Sequence, residues 1–170
     1  MSLNIFRKDK EKAKEKAEGN GPYWCLRQQV LELKPLAELL SGDKNGHLVY
    51  ASVVDMDMGD TVVSLACAAD GTTSLYFSTG GGQIGLGQKY EAVRMATIAF
   101  LQSSEQVLDK LTTSKEYPLP TDKKHIVYLV TERAVYKQEF EMDKVETYSR
   151  ELKFLNFLYQ NVLKEIGAAK

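Results

Sequence analysis

A chain of 170 residues, 44% of them apolar and with a net charge of -1, has the size and composition of one globular domain around a single core. The near-neutral balance excludes the whole-molecule field that would draw it to nucleic acid, and no window is long and apolar enough to span a bilayer. Cys25 and Cys67 fall on different expected elements, with no histidine or second cysteine at ligand spacing, which argues against a metal site or disulfide framework and fits a soluble cytoplasmic protein.

The first seven residues carry Leu3, Ile5 and Phe6, too short a run for a signal-peptide core. Residues 8–18 are almost entirely charged and have no apolar stripe, so residues 1–22 are expected to form a flexible solvated arm and 23–170 a single domain. Gly19-Asn20-Gly21-Pro22 marks the boundary. From 23 to 40, Trp24, Leu26, Val30, Leu33, Leu36, Leu39 and Leu40 recur at spacings of mostly three and four, predicting an amphipathic helix that Pro35 kinks or restarts.

Strands are expected over 48–56, 61–68 and 72–79, rich in β-branched and aromatic residues and joined by short turns, of which Asp70-Gly71 is the strongest hairpin signal. They form an antiparallel meander. A glycine-dense stretch, 80–87, leads into a predicted helix over 89–111, and a loop with Pro118 and Pro120 follows. Residues 125–130 and 134–140 predict a second hairpin. Asp143, with Glu146 as a capping-box partner, is expected to start a last helix that runs to Ile166 and ends at Gly167. Its apolar positions exceed what one sheet face needs: Tyr148, Leu152, Phe154, Leu155, Phe157, Leu158 and Tyr159 form a wide belt, the pattern of a helix buried on two sides or at an interface.

The resulting order, helix, three strands, helix, two strands, helix, predicts an α+β domain in two layers, an antiparallel sheet of about five strands with helices packed on it. This order resembles that of the small dimeric chaperones of bacterial type III secretion. It is also similar to roadblock and longin domains, which divide their strands two and three around the middle helix. The resemblance implies a fold and, by analogy only, a dimeric interaction module. Separately, Ala-Asp-Gly-Thr-Thr-Ser-Leu-Tyr-Phe-Ser-Thr-Gly-Gly-Gly-Gln-Ile-Gly, residues 69–85, resembles a segment of uncharacterised bacterial proteins, a family that brings no known activity.

One sharp site hypothesis concerns Ser78, Thr79, Gly80, Gly81, Gly82, Gln83, Gly85 and Gly87. Glycines before a helix N-terminus let a phosphate approach unpaired N–H groups. No Walker lysine closes the stretch and no βαβ unit surrounds it, so the same glycines also read as positive-φ joints at a sheet edge. A triad of Ser78, His125 and Asp55 lacks any nucleophile motif, and Asp55, Asp57 and Asp60 lack the pattern of a calcium loop. The expected function is therefore a non-enzymatic, chaperone-like interaction module without a cofactor. It is expected to be a homodimer through the last helix or an edge strand, with an unidentified protein partner possible. The alternative is a phosphate- or nucleotide-binding domain using residues 80–87.

Overall fold

In the computed structural model, which describes residues 21–35 and 37–169, seven strands form one antiparallel sheet in the order β4-β3-β2-β1-β6-β7-β5. The strands are β1 (Ala51–Asp57), β2 (Val62–Ala68), β3 (Thr73–Phe77), β4 (Gly82–Gln83), β5 (Thr112–Ser114), β6 (His125–Val130) and β7 (Val135–Phe140). The fold class is α+β, as expected, but the sheet has seven strands rather than about five. The additional two, β4 and β5, are two and three residues long, too short to carry a hydrophobic period. The expected arm lies outside the described residues as far as residue 20.

Burial explains the layering. All seven residues of β1 and five of the six in β6 are buried, whereas a sheet with one wet face would alternate. One face packs Val54, Met56, Leu65, Leu75, Val127 and Leu129 against two long helices, α4 (Glu91–Ser104) and α5 (Arg150–Ala168), through Val93, Phe100, Leu155, Tyr159 and Val162. The opposite face is covered by α1 (Pro22–Leu31), which buries Tyr23, Arg27 and Leu31 at intervals of four against Val53, Ala66, Ile126 and Tyr128. Three layers, not the expected two, follow from this cover on both faces.

Several boundaries move for local reasons. The first helix ends at Leu31, before Pro35, and a separate short helix, α2, spans Ala37–Leu40; Pro35 keeps Lys34 out of the helical region and so bars the first helix from running on through it. The helix expected over 89–111 divides into a single turn, α3 (Leu86–Lys89), then α4 after the extended Tyr90, then a 3₁₀ segment, Glu105–Lys110. The Ser104 hydroxyl donates to the Leu101 carbonyl at 2.8 Å at the point of tightening, competition typical of serine near a helix end. Asp143 does not cap the last helix: Met142–Thr147 is 3₁₀ and Tyr148 is extended. The Tyr148 hydroxyl accepts the Glu141 N–H at 2.9 Å and its ring meets Phe140 edge-on at 5.3 Å. Ser149 is the cap, accepting from the Leu152 N–H at 3.3 Å, and Gly167 lies inside the helix rather than ending it.

At the start of β6, His125 Nδ1 lies 2.9 Å from the Tyr159 hydroxyl, which also accepts from Asn156 Nδ2 at 2.7 Å. Burial lowers the pKa of His125 below its ordinary value. The unfolded chain therefore takes up the proton first as pH falls, so stability is full above about pH 6.5 and declines as pH drops through the folded-state pKa. Urea denaturation should show a smaller loss of stability between pH 7.5 and pH 5 in His125→Gln than in the wild type.

Candidate functional site

The covered face is built around one buried charge pair. Asp55 on β1 and Arg27 on α1 are 0% and 2% exposed. Arg27 Nη2 and Nε donate to Asp55 Oδ2 at 2.6 and 3.0 Å, and Nε reaches Oδ1 at 3.2 Å. Ser64 on β2 donates to Oδ1 at 2.5 Å. That uses the one proton of the serine, so the Tyr23 hydroxyl, 2.8 Å from Ser64 Oγ, donates to it. Burial by itself would lower the pKa of the guanidinium, but the charge and hydrogen bonds of Asp55 more than reverse this and raise it. The Tyr23 hydroxyl is raised by burial and then by the charge of Asp55.

Arg27 also reaches outward. Its Nη2 donates to the Tyr117 carbonyl at 2.9 Å, its guanidinium carbon stands 5.6 Å from the Tyr128 ring centre, and the Tyr128 hydroxyl donates to the Pro118 carbonyl at 2.7 Å. The Tyr117 ring meets Tyr128 edge-on at 5.5 Å. One side chain thus fixes both α1 and the loop after β5 to the sheet.

Between those two fixed parts lies a groove of about 830 Å³. Leu31, Tyr50, Val130 and Val135, all buried, form its apolar floor. Leu33, Pro35 and Leu40 line one side, Tyr117 and the β5 residues Thr113 and Ser114 the other, and Lys34, Lys115, Arg133, Glu32 and Glu132 add charges of both signs. Leu33 is 40% exposed. The volume and apolar floor match a ligand-sized site. Its mixed charge and the sheet edge beside it suit a peptide better than a single anion. Sequence reasoning missed this site because its residues come from four separated segments; the only signal was the apolar residues flanking Pro35.

The glycine stretch does not converge on one point. Ser78 and Thr79 lie 3.2 Å from the Thr61 hydroxyl, and Ser78 Oγ accepts the Val62 N–H at 2.8 Å, joining the β1–β2 and β3–β4 turns. Gly80 and Gly81 have positive φ in that turn. Gly82 and Gln83 pair with Tyr76 and Leu75. At the other end of β3, Gly85, also at positive φ, directs its N–H to Ser74, and Gly87 lies so close to the Gly71 carbonyl that a Cβ would overlap it. The residues are strung along the sheet edge, each glycine meeting a local steric need, and the long helix begins only at Glu91.

The α5 belt is largely consumed within the chain. Leu155, Leu158 and Tyr159 are buried, Tyr148, Leu152 and Phe154 are partly buried against the same core, and Phe157 is 62% exposed. The candidate triad is dispersed: Asp55 faces α1, His125 meets Tyr159 on α5, and Ser78 closes a turn. Asp57 accepts the backbone N–H groups of Gly59 and Lys123. Burial pushes the Cys67 thiol up to about 12, which leaves it protonated at neutral pH. Among the described residues, no three His, Cys, Asp or Glu side chains are grouped so that they could hold a metal ion, and no helix is long and apolar enough to cross a membrane. No family model, curated protein or solved structure matches the chain.

Removing one partner of a buried pair strands the other. Arg27→Leu should lower the free energy of unfolding by about 3–5 kcal/mol in urea. Lys144→Ala, which breaks the exposed Lys144–Glu141 pair, should leave the urea midpoint close to that of the wild type, because solvent screens an exposed pair.

Proposed function

We propose that this chain is a non-enzymatic protein-interaction module whose binding surface is the groove between α1, α2, β5 and the β6–β7 turn, taking an extended peptide segment with apolar anchors. The observation that carries this reading is the apolar floor of Leu31, Tyr50, Val130 and Val135 beneath an opening that reaches β5. Among the described residues β5 pairs with β7 alone and ends the sheet, so its outer side offers backbone groups for strand addition while alternate side chains of the peptide enter the groove.

Selection of a displayed peptide library against the full chain tests it. The selected peptides should carry apolar residues at alternate positions. Their affinity should fall at least about tenfold with Leu33→Asp, a loss of roughly 1.4 kcal/mol, and be unchanged with Gln83→Ala in the glycine stretch. Loss of binding with Gln83→Ala but not Leu33→Asp would favour the ligand reading of residues 80–87, and failure to select any peptide would overturn the groove.

A homodimer through α5 is a second reading, favoured by the exposed Phe157 beside the partly buried Phe154. It calls for a twofold mass in light scattering that reverts to one chain in Phe157→Lys, and a single-chain mass in the wild type at high concentration would overturn it.

A further inference from the structure

The apolar floor of the groove accounts for anchors and leaves open what else a bound segment must carry. Two exposed lysines stand on its two walls: Lys34, between Leu33 and Pro35, and Lys115, just beyond the end of β5. We infer that the segment this groove takes is acidic, an extended peptide whose apolar anchors are flanked by carboxylate side chains that pair with Lys34 and Lys115. The inference rests on the groove being a peptide site. Among the described residues the lysine ion pairs are Lys110–Asp109, Lys124–Glu139, Lys144–Glu141 and Lys153–Glu146, and the two groove lysines take part in none of them.

The other charges of the lining do not cancel these two. Glu32 accepts a hydrogen bond from Gln28 Nε2 one turn back on α1, at 2.5 Å. Arg133 packs its aliphatic stem so close to Gly46 that a Cβ there would overlap it, and its Nη1 meets His47 Nε2 at 3.2 Å. Glu132 is then left to face both lysines. A peptide lying on the floor removes water from around the two ammonium groups, and an apolar or basic one would leave them partly desolvated and unpaired. Carboxylates offset that cost, and beside an apolar floor the attraction is stronger than on an open surface. The geometry of an extended chain permits both contacts at once: alternate side chains turn to the floor, and the intervening ones turn toward the rim. Each lysine can lie along the wall on its four-carbon stem and carry its charge up to meet them. Rim charges of this kind govern the rate of encounter and the choice of partner more than the final affinity.

The test returns to the displayed peptide library and the full chain. Peptides selected by the wild type should carry Asp or Glu beside their apolar anchors. Their affinity should fall at least about tenfold in Lys34→Glu, Lys115→Glu, mainly through slower association. The difference should shrink in about 1 M salt, where the screening length is about 3 Å. Glu132→Lys should act in the opposite sense and tighten binding about two- to threefold, a gain that damage to the groove cannot mimic. Selection repeated against the double variant should return Lys or Arg in the flanking positions. Wild-type selection with no excess of acidic residues, or acidic peptides bound equally by wild type and double variant at low salt, would overturn this inference and leave the groove standing. A loss in the double variant that high salt leaves unchanged would overturn the pairing as its cause. Failure to select any peptide would overturn the groove and this inference with it.

Discussion

The bond between Arg27 and Asp55 is the constraint that sets where α1 and the walls of the groove sit on the sheet. Moving a guanidinium and a carboxylate out of water costs several kcal/mol each, and the attraction between them offsets that cost only when the geometry is good and the remaining polar atoms are satisfied. Here two guanidinium nitrogens meet the carboxylate, Ser64 donates to its other oxygen, and the Tyr117 carbonyl takes a further guanidinium bond. An apolar pair could stabilise the same interface as well or better. What the charges add is position: α1 can sit on the sheet in one rotation and one register, since any other would leave Asp55 unpaired.

That position has consequences at a distance. Leu31 lies one helical turn beyond Arg27 and is delivered to the floor beside Tyr50 and Val130. The Tyr117 to Pro118 segment is held by Arg27 from one side and by the Tyr128 hydroxyl from the other. The groove is therefore a by-product of how the sheet is closed, with walls fixed by the same side chain. On the opposite face the packing is conventional and apolar, with Thr73 and Thr97 in hydroxyl contact at 2.6 Å between β3 and α4. This division leaves the helical layer to supply cohesion and the α1 layer to supply a surface.

Much of the fold was legible because its signals are local. The hairpin at Asp70-Gly71 forms as expected, with Gly71 at positive φ and the Asp70 carboxylate accepting the Thr72 N–H, and the five principal strands fall within a few residues of their expected spans. The cover on both faces was less visible, although the unbroken apolar run from Ile126 to Val130 is the pattern of a strand with no wet side. Arg27 gave no warning: a single arginine among apolar residues reads as a solvated position until the carboxylate on β1 is brought beneath it. The glycine stretch left two readings open for a related reason, since positive φ and close backbone approach are needed equally by a phosphate cradle and by a sheet edge. The α5 belt was wide because the helix packs on both the sheet and α4.

The central claim, that the buried pair holds α1 and the groove wall to an otherwise self-sufficient core, is tested most directly by hydrogen exchange in Asp55→Asn at neutral pH. The account predicts faster exchange confined to Pro22–Leu31 and the 117–120 segment, with α4, α5 and the central strands still protected. Uniform loss of protection across the molecule, or no change in α1, would contradict it.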